Sequence, residues 1–208
     1  MQAGLRQVVA SDCLPTDVVL LRLQGPQPHL AALTQRLVNL PACRDLGAAI
    51  TRAAWSADAR VAYLYLALPS RMALLHRDVA PLAGAADSAV RSHAARLTLM
   101  HDISGHSSGE DAPFHYVVEM TPEEGFGIEL QRWYDTEHLP GLASVPGCAR
   151  AQRYWNHDQG PRSLACYDLM TQETQGSPDW LAVRNTSWSD RMRPRFTQTV
   201  RTMFTTLR

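Results

Sequence analysis

The chain of 208 residues has 45% hydrophobic and 19% charged residues, the balance of a globular protein with one large domain or two small ones. Its formal net charge is zero, so no overall field attracts nucleic acid or an anionic membrane surface. All 20 basic residues are arginine, which excludes Schiff-base chemistry on lysine, a lysine-bound pyridoxal cofactor and a phosphate-loop lysine.

The cysteines and the N-terminus indicate the compartment. The four cysteines are scattered, and no pair has the CxxC spacing of a zinc or redox site: Cys13, Cys43, Cys148 and Cys166. The segment Met1–Pro15 lacks the apolar core of a signal peptide, and no apolar run approaches the ~20 residues of a membrane span. We therefore expect a soluble, cytoplasmic protein with buried free thiols and with neither nucleic-acid nor membrane partners.

In the first half of the chain, β-branched apolar runs alternate with a segment of helical spacing. Strands are predicted at Asp17–Leu23, Gly47–Trp55, Arg60–Leu68 and Arg96–Met100. Helices are predicted at Pro28–Leu40 and from an N-cap at Ser70 to Val79. A linker rich in glycine and serine follows at Ile103–Pro113.

The second half repeats this order of elements. Strands are predicted at Phe114–Met120, Gly147–Trp155, Ser163–Met170 and Arg195–Leu207. Helices are predicted at Gly127–Leu139 and Pro178–Asn185, with Ser177 as the N-cap of the second.

The two halves also align at an offset of one hundred residues, with Gly47 on Gly147 and Leu64 on Leu164. The order βαββαβ is that of a ferredoxin-like unit, which has a four-stranded antiparallel sheet and helices on one face. We expect an α+β fold with one unit at 1–102, the linker at 103–113 and a second unit at 114–208. The bare faces of the two sheets then pack face to face and close an α/β barrel within one chain.

One region carries most of the chemistry. Arg132–Gly141 reads RWYDTEHLPG, Val145–Gly147 reads VPG, and Arg153–Trp155 reads RYW. In the predicted elements, these residues lie where a helix ends, a Pro/Gly turn follows and a strand begins. If the protein has a functional site, we expect its centre here.

The run WYDTEHLP, followed by VPG and RYW, resembles the EthD-like branch of the dimeric α/β-barrel superfamily. Residues Asn185–Pro194 resemble the tails of tandem versions of this group, and the match covers Phe114 to Phe204. In the first half, Leu33–Pro41 reads LTQRLVNLP and has no acid, aromatic residue or histidine. The resemblance implies the barrel fold. It does not imply one function, because such barrels include isomerases, decarboxylases, dehydratases, cofactor-free oxygenases, heme enzymes and proteins without known activity.

The candidate catalytic residues are His138, Tyr134 and Asp135. An imidazole titrates near neutrality and suits proton transfer, and Asp135 or Glu137 would orient it. The phenol of Tyr134 would donate to a ligand oxygen. As alternatives, His138 is a cation at a helix C-terminus and Trp133 is an anchor of the core. No second histidine or cysteine stands at a ligand spacing on this helix, so no metal site is expected.

Residues of the strand Gly147–Trp155 alternate between two faces. One face carries Ala149, Ala151, Arg153 and Trp155, and the other carries Arg150, Gln152 and Tyr154. The small residues suit a face that packs on a helix, which would direct the polar set into the barrel, but the sequence leaves the choice of face open. The candidate substrate-binding residues are Trp133, Glu137, Arg150, Arg153, Tyr154 and Trp155. Arginine beside an aromatic residue suits an anionic or carbonyl-bearing planar ligand, and an ion pair with Asp168 is the alternative.

Other signals are weaker. His101 and His106 are expected to be solvated, as is the basic run of Arg191, Arg193 and Arg195. The sequence has no dinucleotide fingerprint, phosphate loop, GxSxG elbow or HExxH motif.

The leading hypothesis is a cofactor-free enzyme of isomerase, decarboxylase, dehydratase or oxygenase type. It would act on a small aromatic or polyketide-like carbonyl compound, with His138 as the acid/base. The alternative is a non-catalytic ligand-binding or structural barrel. A minor alternative is heme binding, with His138 as the proximal ligand. The sequence also leaves open whether the two-repeat chain forms a homodimer.

Overall fold

The computed structural model describes residues 12–207. Residues 1–11, and with them most of the segment in which no signal peptide is predicted, lie outside the described residues, as does Arg208. The strands are β1 Leu14–Gln24, β2 Ala49–Ser56, β3 Val61–Leu74, β4 Arg91–Ser104, β5 Phe114–Pro122, β6 Cys148–Asn156, β7 Ser163–Leu169 and β8 Phe196–Thr206. The α-helices are α1 Leu30–Asn39, α2 Pro41–Leu46, α3 His76–Val79, α4 Gly127–Trp133, α5 Leu139–Ala143, α6 Pro178–Arg184 and α7 Ser187–Met192.

Each half of the chain forms a four-stranded antiparallel sheet. The strand order is β4, β1, β3, β2 in the first unit and β8, β5, β7, β6 in the second. The two sheets join at both edges, β2 to β8 and β4 to β6, so eight strands close one barrel within a single chain. The predicted fold class, two ferredoxin-like units whose sheets face each other as an α/β barrel, is confirmed.

The two seams between the sheets are unequal. β4 pairs with β6 from Leu97 opposite Asn156 to Ser104 opposite Arg150. β2 pairs with β8 only where Ala54 and Trp55 lie opposite Thr206 and Thr205. The longer seam is therefore the main connection between the two sheets.

The alternation of side chains along each strand creates two kinds of core. Leu20 of β1 points into the barrel interior, together with Tyr65, Tyr154 and Phe204. Its neighbour Leu21 points outward, into a cluster that the helices of the first unit cover. A third cluster lies between the outer face of the second sheet and the helices of the second unit. Each unit thus has its own helix-side core, and the barrel interior is shared.

Local sequence explains several element boundaries. The hydroxyl of Ser177 accepts a hydrogen bond from the amide of Trp180 at 3.3 Å, which confirms the predicted N-cap. Gly47 and Gly147 have φ values of 60° and 90°, a left-handed turn that glycine adopts without strain just before β2 and β6. The short helices α2 and α7 were not predicted. The first follows Leu40 with proline at its start, and the second is capped by Thr186.

The helix predicted from Ser70 to Val79 is wrong in its first half. β3 continues to Leu74 because its last residues pair with the start of β1 beyond a bulge, for example Leu74 with Leu14. Only His76–Val79 is helical, and a 3₁₀ turn follows. β4 likewise extends beyond the predicted Arg96–Met100, since its residues pair with β1 and β6 on either side.

The helix predicted to end at Leu139 continues to Ala143. Residues Tyr134–His138 form a π-helical turn, in which the amide of Leu139 donates to the carbonyl of Tyr134 five residues back. Pro140, which has no N–H to donate, lies in the first turn of α5, directly after the π-helical turn. His138 is consequently inside a helical run, and the interpretation of it as a cation at a helix C-terminus is wrong.

The identities at an offset of one hundred do not all mark equivalent positions. Leu64 points outward into the helix-side core of the first unit, whereas Leu164 points into the barrel interior. The match between these two leucines is therefore coincidental. The repeated order of elements is the feature that the two halves share.

Gly105, at the junction of β4 and β6, is predicted to tolerate no side chain. The amide of Gly105 donates to the carbonyl of Ala149 at 2.9 Å, and a Cβ on Gly105 would lie 2.2 Å from the carbonyl oxygen of Cys148. Gly105→Ala should therefore lower the free energy of unfolding by about 1–3 kcal/mol, measured by urea denaturation. Gly84→Ala is the matched control, because a methyl group at that position would have no neighbouring atom within 4 Å. Equal stability of the two variants would contradict this account.

Candidate functional site

A cleft lies between the outer face of the second sheet and the helices that cover it. Six aromatic side chains line it: Tyr116, Trp133, Tyr134, Tyr167, Trp180 and Phe196. Tyr116 and Tyr167 stand opposite each other on β5 and β7, and their outward direction follows from strand alternation. Trp133 and Tyr134 come from the helical run, and Trp180 comes from α6. The sheet therefore forms the floor of the cleft, and the helices form its walls.

His138 enters this cleft from the π-helical turn. Its ring is stacked on the indole of Trp133, with the ring centroids 4.0 Å apart and an angle of 18° between the planes. It meets Tyr134 edge-on at 5.6 Å. The Nδ1 atom of His138 is buried and has no hydrogen-bond partner among the described residues. The imidazole is thus positioned by aromatic packing and not by a hydrogen bond.

The surroundings keep His138 neutral. Burial, together with the smaller effect of the charges on Arg184 and Arg193, lowers its pKa to about 3. Burial also raises the pKa of Tyr134 to about 12, although Arg153 and Arg201 oppose that rise. At neutral pH the cleft therefore holds a neutral imidazole and a protonated phenol.

The mouth of the cleft is cationic. Arg184, Arg193 and Arg201 line it, and no carboxylate does. Arg193 is paired with Asp190, whereas Arg184 and Arg201 make no ion pair with any described residue. The indole N–H groups of Trp133 and Trp180 are buried and also lack partners within residues 12–207. A surface of cations and unpaired donors is complementary to a ligand with acceptor oxygens or a negative charge.

The cleft is narrow in this conformation. The enclosed space that can hold water-sized molecules is about 40 Å³. The total empty volume, which includes the solvent at the open mouth, is about 450 Å³. A benzene ring needs a cavity of roughly 150 Å³. An aromatic ligand would therefore need the unpaired side chains of Arg184 and Arg201 to move outward. A porphyrin is far larger, and in this conformation it would overlap the aromatic walls themselves.

Two predicted orienting carboxylates point elsewhere. Asp135 accepts from Gln131 at 2.8 and 3.0 Å and lies 2.7 Å from His101 Nε2. Glu137 accepts from the hydroxyl of Thr186 at 2.6 Å. No hydrogen bond joins either carboxylate to His138, so the expectation that one of them orients the imidazole is wrong. The π-helical turn changes the angular relation of these residues from that of a regular helix.

Arg153 supports the cleft from behind. Its buried guanidinium donates to Gln131 Oε1 at 2.7 Å and to Ser163 at 3.3 Å, and lies 4.6 Å from the centroid of the Tyr134 ring. The side chain does not line the cleft. It therefore holds Tyr134 in place and is not positioned to contact a ligand there.

The remaining predicted residues lie away from the cleft. Gln152 and Tyr154 are buried on β6, and Tyr154 belongs to the interior cluster, while Ala151 belongs to the helix side. Arg150 pairs with Asp102, and Trp155 is half-buried outside the cleft lining. The polar face of the strand thus points inward, as the small residues suggested. Asp168 pairs with Arg52, and not with Arg150 or Arg153.

His101 and Arg193, which were expected to be solvated, make defined contacts. His101 contacts Asp135, and Arg193 lines the cleft. Sequence reasoning also missed Tyr116, Tyr167, Trp180, Arg184 and Arg201 as cleft residues. Strand alternation could have placed the two tyrosines on one face. The two arginines come from α6 and β8 and meet only through the topology.

The equivalent place in the first unit is apolar. Leu33 and Leu37 of α1 are buried in the helix-side core, whereas Val38 is exposed. Within residues 12–207, no cluster of three histidine, cysteine, aspartate or glutamate side chains is placed to hold a metal ion. In the same range, no helix has both the length and the apolarity needed to cross a bilayer.

Comparison with known proteins shows the fold. No protein-family model and no curated protein matches the chain. A candidate monooxygenase from Lactobacillus acidophilus NCFM has a TM-score of 0.59 at 11% identity, over 92% of this chain and 94% of that one. A mutant chlorite dismutase from Candidatus Nitrospira defluvii has a TM-score of 0.58 at 9% identity, over 91% and 92%. A major regulator of staphylococcal pathogenesis has a TM-score of 0.54 at 6% identity, over 92% of this chain and 99% of that one.

The chain therefore shares the α/β-barrel fold of these solved structures. The three proteins have different roles by name, which include an enzyme and a regulator. At identities this low the likeness concerns architecture, so function has to be argued from the side chains of the cleft.

The lowered pKa of His138 predicts a specific dependence of stability on pH. The unfolded chain takes up a proton near pH 6.5, but the folded protein does so only near pH 3, so stability falls as pH drops through this window. As the pH falls from about 7 to about 5, protonation of His138 in the unfolded chain should lower the free energy of unfolding by roughly 1–2 kcal/mol. His138→Gln should abolish this part of the loss, as measured by urea unfolding at both pH values.

His93, His115 and His157 also have pKa values lowered chiefly by burial, and they contribute in the same direction. These three residues are unchanged in the variant, so the difference between the two proteins isolates His138. Parallel losses of stability in wild type and variant would contradict a neutral, buried imidazole at this position.

Proposed function

We propose that the protein is a cofactor-independent enzyme that transfers a proton on a small, planar, negatively charged carbonyl compound, with His138 as the proton acceptor. The observation that carries this proposal is the composition of the cleft. A neutral imidazole faces a space lined by aromatic rings, unpaired N–H donors and guanidinium groups, with no carboxylate. An aromatic or polyketide-like carbonyl acid matches all of these groups.

The proposed step follows from the position of each group. The flat part of the ligand packs against Trp133 and Trp180, and its negative charge lies at Arg184 and Arg201. His138 removes a proton from the carbon beside the carbonyl, so a C–H bond breaks and an N–H bond forms on the imidazole. The electron pair moves to the carbonyl oxygen as an enolate. The guanidinium groups and the protonated phenol of Tyr134 stabilise that charge.

The low pKa of His138 makes this step depend on the ligand. In the free protein an imidazolium is disfavoured by burial and by the neighbouring arginines. A bound anion compensates the arginine charge, and the enolate compensates the new imidazolium. Proton acceptance is thus favourable only with an anionic ligand in place, which protects the site from protonation by water.

Isomerisation and dehydration can begin with such an enolate. Return of the proton to a different carbon completes an isomerisation, and loss of hydroxide from the neighbouring carbon completes a dehydration. In a decarboxylation the enolate is instead the product of CO₂ loss, and His138 in its protonated form would return a proton to the carbon. An oxygenation would need dioxygen as the co-substrate that accepts the electrons of the enolate. The enolate is the species that these reactions share, and the cationic mouth and the Tyr134 phenol are placed to stabilise it.

The second candidate is a non-catalytic ligand-binding barrel. One observation favours it: neither Asp135 nor Glu137 contacts His138, and Nδ1 of His138 has no partner among the described residues. Catalytic imidazoles are usually fixed by a hydrogen bond to the second nitrogen. A binding protein needs only the aromatic walls and the cationic mouth.

Phenylpyruvate tests the proposal, because it combines an aromatic ring, a carboxylate and an acidic C–H beside a ketone. We expect the protein to accelerate its keto–enol interconversion, followed by ultraviolet absorbance, and His138→Gln to lower the catalysed rate by about 10²–10⁴-fold. Arg184→Gln should chiefly raise KM. His106→Gln is the control, since His106 is exposed and outside the cleft.

Quenching of tryptophan fluorescence measures binding separately from turnover. Binding of phenylpyruvate without acceleration, unchanged in His138→Gln, would establish the ligand-binding alternative. Absence of binding for both phenylpyruvate and benzoate would overturn the assignment of the cleft to anionic aromatic compounds.

A further inference from the structure

The barrel has a second cavity that is separate from the cleft. It lies inside one end of the barrel, has a volume of about 320 Å³, and is lined by residues from β1, β2, β3, β4 and β6. Tyr65, Tyr154, Arg52 and Gln152 form its inner wall. The His138 cleft lies on the opposite side of the second sheet, so no residue lines both spaces.

A buried chain of three side chains reaches the wall of this cavity. His115 Nδ1 lies 2.7 Å from Asp168 Oδ1, and His115 Nε2 lies 3.0 Å from the hydroxyl of Tyr65. His115 is fully buried and Tyr65 is 1% exposed. Burial also lowers the pKa of His115, and nearby Arg52 lowers it further, so the imidazole is neutral.

The direction of each hydrogen bond in this chain is fixed by its carboxylate end. Asp168, an anion paired with Arg52, can only accept, so His115 Nδ1 must carry the proton. In a neutral imidazole the other nitrogen is then an acceptor, and the Tyr65 hydroxyl must donate to it. The Tyr65 proton is therefore used in the bond to His115, and the Tyr65 oxygen can only accept. The Cys166 thiol, 3.6 Å away, is a weak donor to this oxygen, which has a second lone pair for a ligand.

Tyr154 offers the complementary group. It lines the same cavity, is 3% exposed, and its hydroxyl has no hydrogen-bond partner among the described residues. Its ring centroid lies 5.9 Å from that of Tyr65. Burial raises its pKa well above the usual range, so the phenol stays protonated and can donate. The cavity is thus lined by one phenol that can accept and by another that can donate.

The charges around this cavity are balanced. Arg52 pairs with Asp168, Arg150 with Asp102, and Arg71 with Asp17. Unlike the cleft, this space has no unpaired cation among its described lining residues. An ionic ligand would have to disrupt one of these pairs, so the balance favours a neutral ligand.

We propose that this cavity is a binding site for a small neutral compound with a phenolic or enolic hydroxyl group. The ligand hydroxyl donates to Tyr65 and accepts from Tyr154, which a carbonyl, ether or phenolate cannot do. The Tyr65 and Tyr154 rings and nearby Leu68 and Leu99 contact its apolar part. This site is independent of the proposed function of the cleft.

Binding of para-nitrophenol, measured by calorimetry at a pH below its own ionisation, tests the proposal. Tyr65→Phe and Tyr154→Phe should each weaken binding about tenfold, the loss expected for one hydrogen bond. Para-nitroanisole, which carries a methyl group in place of the hydroxyl proton, should bind as weakly to wild type. Tyr63→Phe is the matched control, because Tyr63 is a buried interior tyrosine whose hydroxyl donates to Glu119 at 2.7 Å and does not line this cavity.

Two further measurements test whether the ligand binds in the cavity and not in the cleft, and whether a change with pH comes from the ligand and not from nearby titrating residues. His138→Gln and Arg184→Gln should leave para-nitrophenol binding unchanged, and their loss of binding would assign the ligand to the cleft. Raising the pH to ionise the ligand should weaken binding. Because Arg52, Asp168, His115 and Cys166 also face Tyr65, para-nitroanisole is measured over the same pH range and should show no such change. Tighter binding of the phenolate, or equal binding to Tyr65→Phe, would overturn the proposal.

Discussion

The structure depends on covering the bare face of each four-stranded sheet. The helices of each unit cover one face only, and the other face carries apolar side chains such as Leu20, Leu97 and Phe204. Joining the two sheets at both edges hides these residues in one shared interior and leaves few unpaired strand edges. With eight strands the interior is just wide enough for side chains to fill it, with room for a small cavity at one end.

The same strands therefore serve two different surfaces. On β5, His115 points into the barrel while its neighbour Tyr116 points into the cleft, and on β7 Asp168 and Tyr167 are divided in the same way. The two spaces differ in electrostatic character. The cleft has unpaired cations and hydrogen-bond donors, which suit an anion, whereas the arginines of the interior are paired with carboxylates, such as Arg52 with Asp168 and Arg22 with Glu119. Strand alternation keeps two chemically opposite environments about one sheet apart.

The sequence predicts what is local and misses what depends on pairing. All eight strands were located because strand-forming residues, β-branched, aromatic or apolar, are adjacent in the chain. The extension of β3 required knowledge of its pairing with β1, and the passage of the helix through Pro140 required the π-helical turn. His138, Tyr134 and Trp133 were found because they are adjacent in the chain. The partner of Asp135 is His101, on a strand from the other unit, so sequence proximity assigned that carboxylate to the wrong histidine.

The short seam between β2 and β8 gives the barrel one place of low local stability. Separating Ala54 and Trp55 from Thr206 and Thr205 breaks few main-chain hydrogen bonds and leaves both four-stranded sheets intact. Such a partial opening costs far less free energy than global unfolding, so amide hydrogens along this edge should exchange with solvent through it. The β2–β8 edge is thus the part of the barrel wall that the fewest strand-to-strand pairs hold closed.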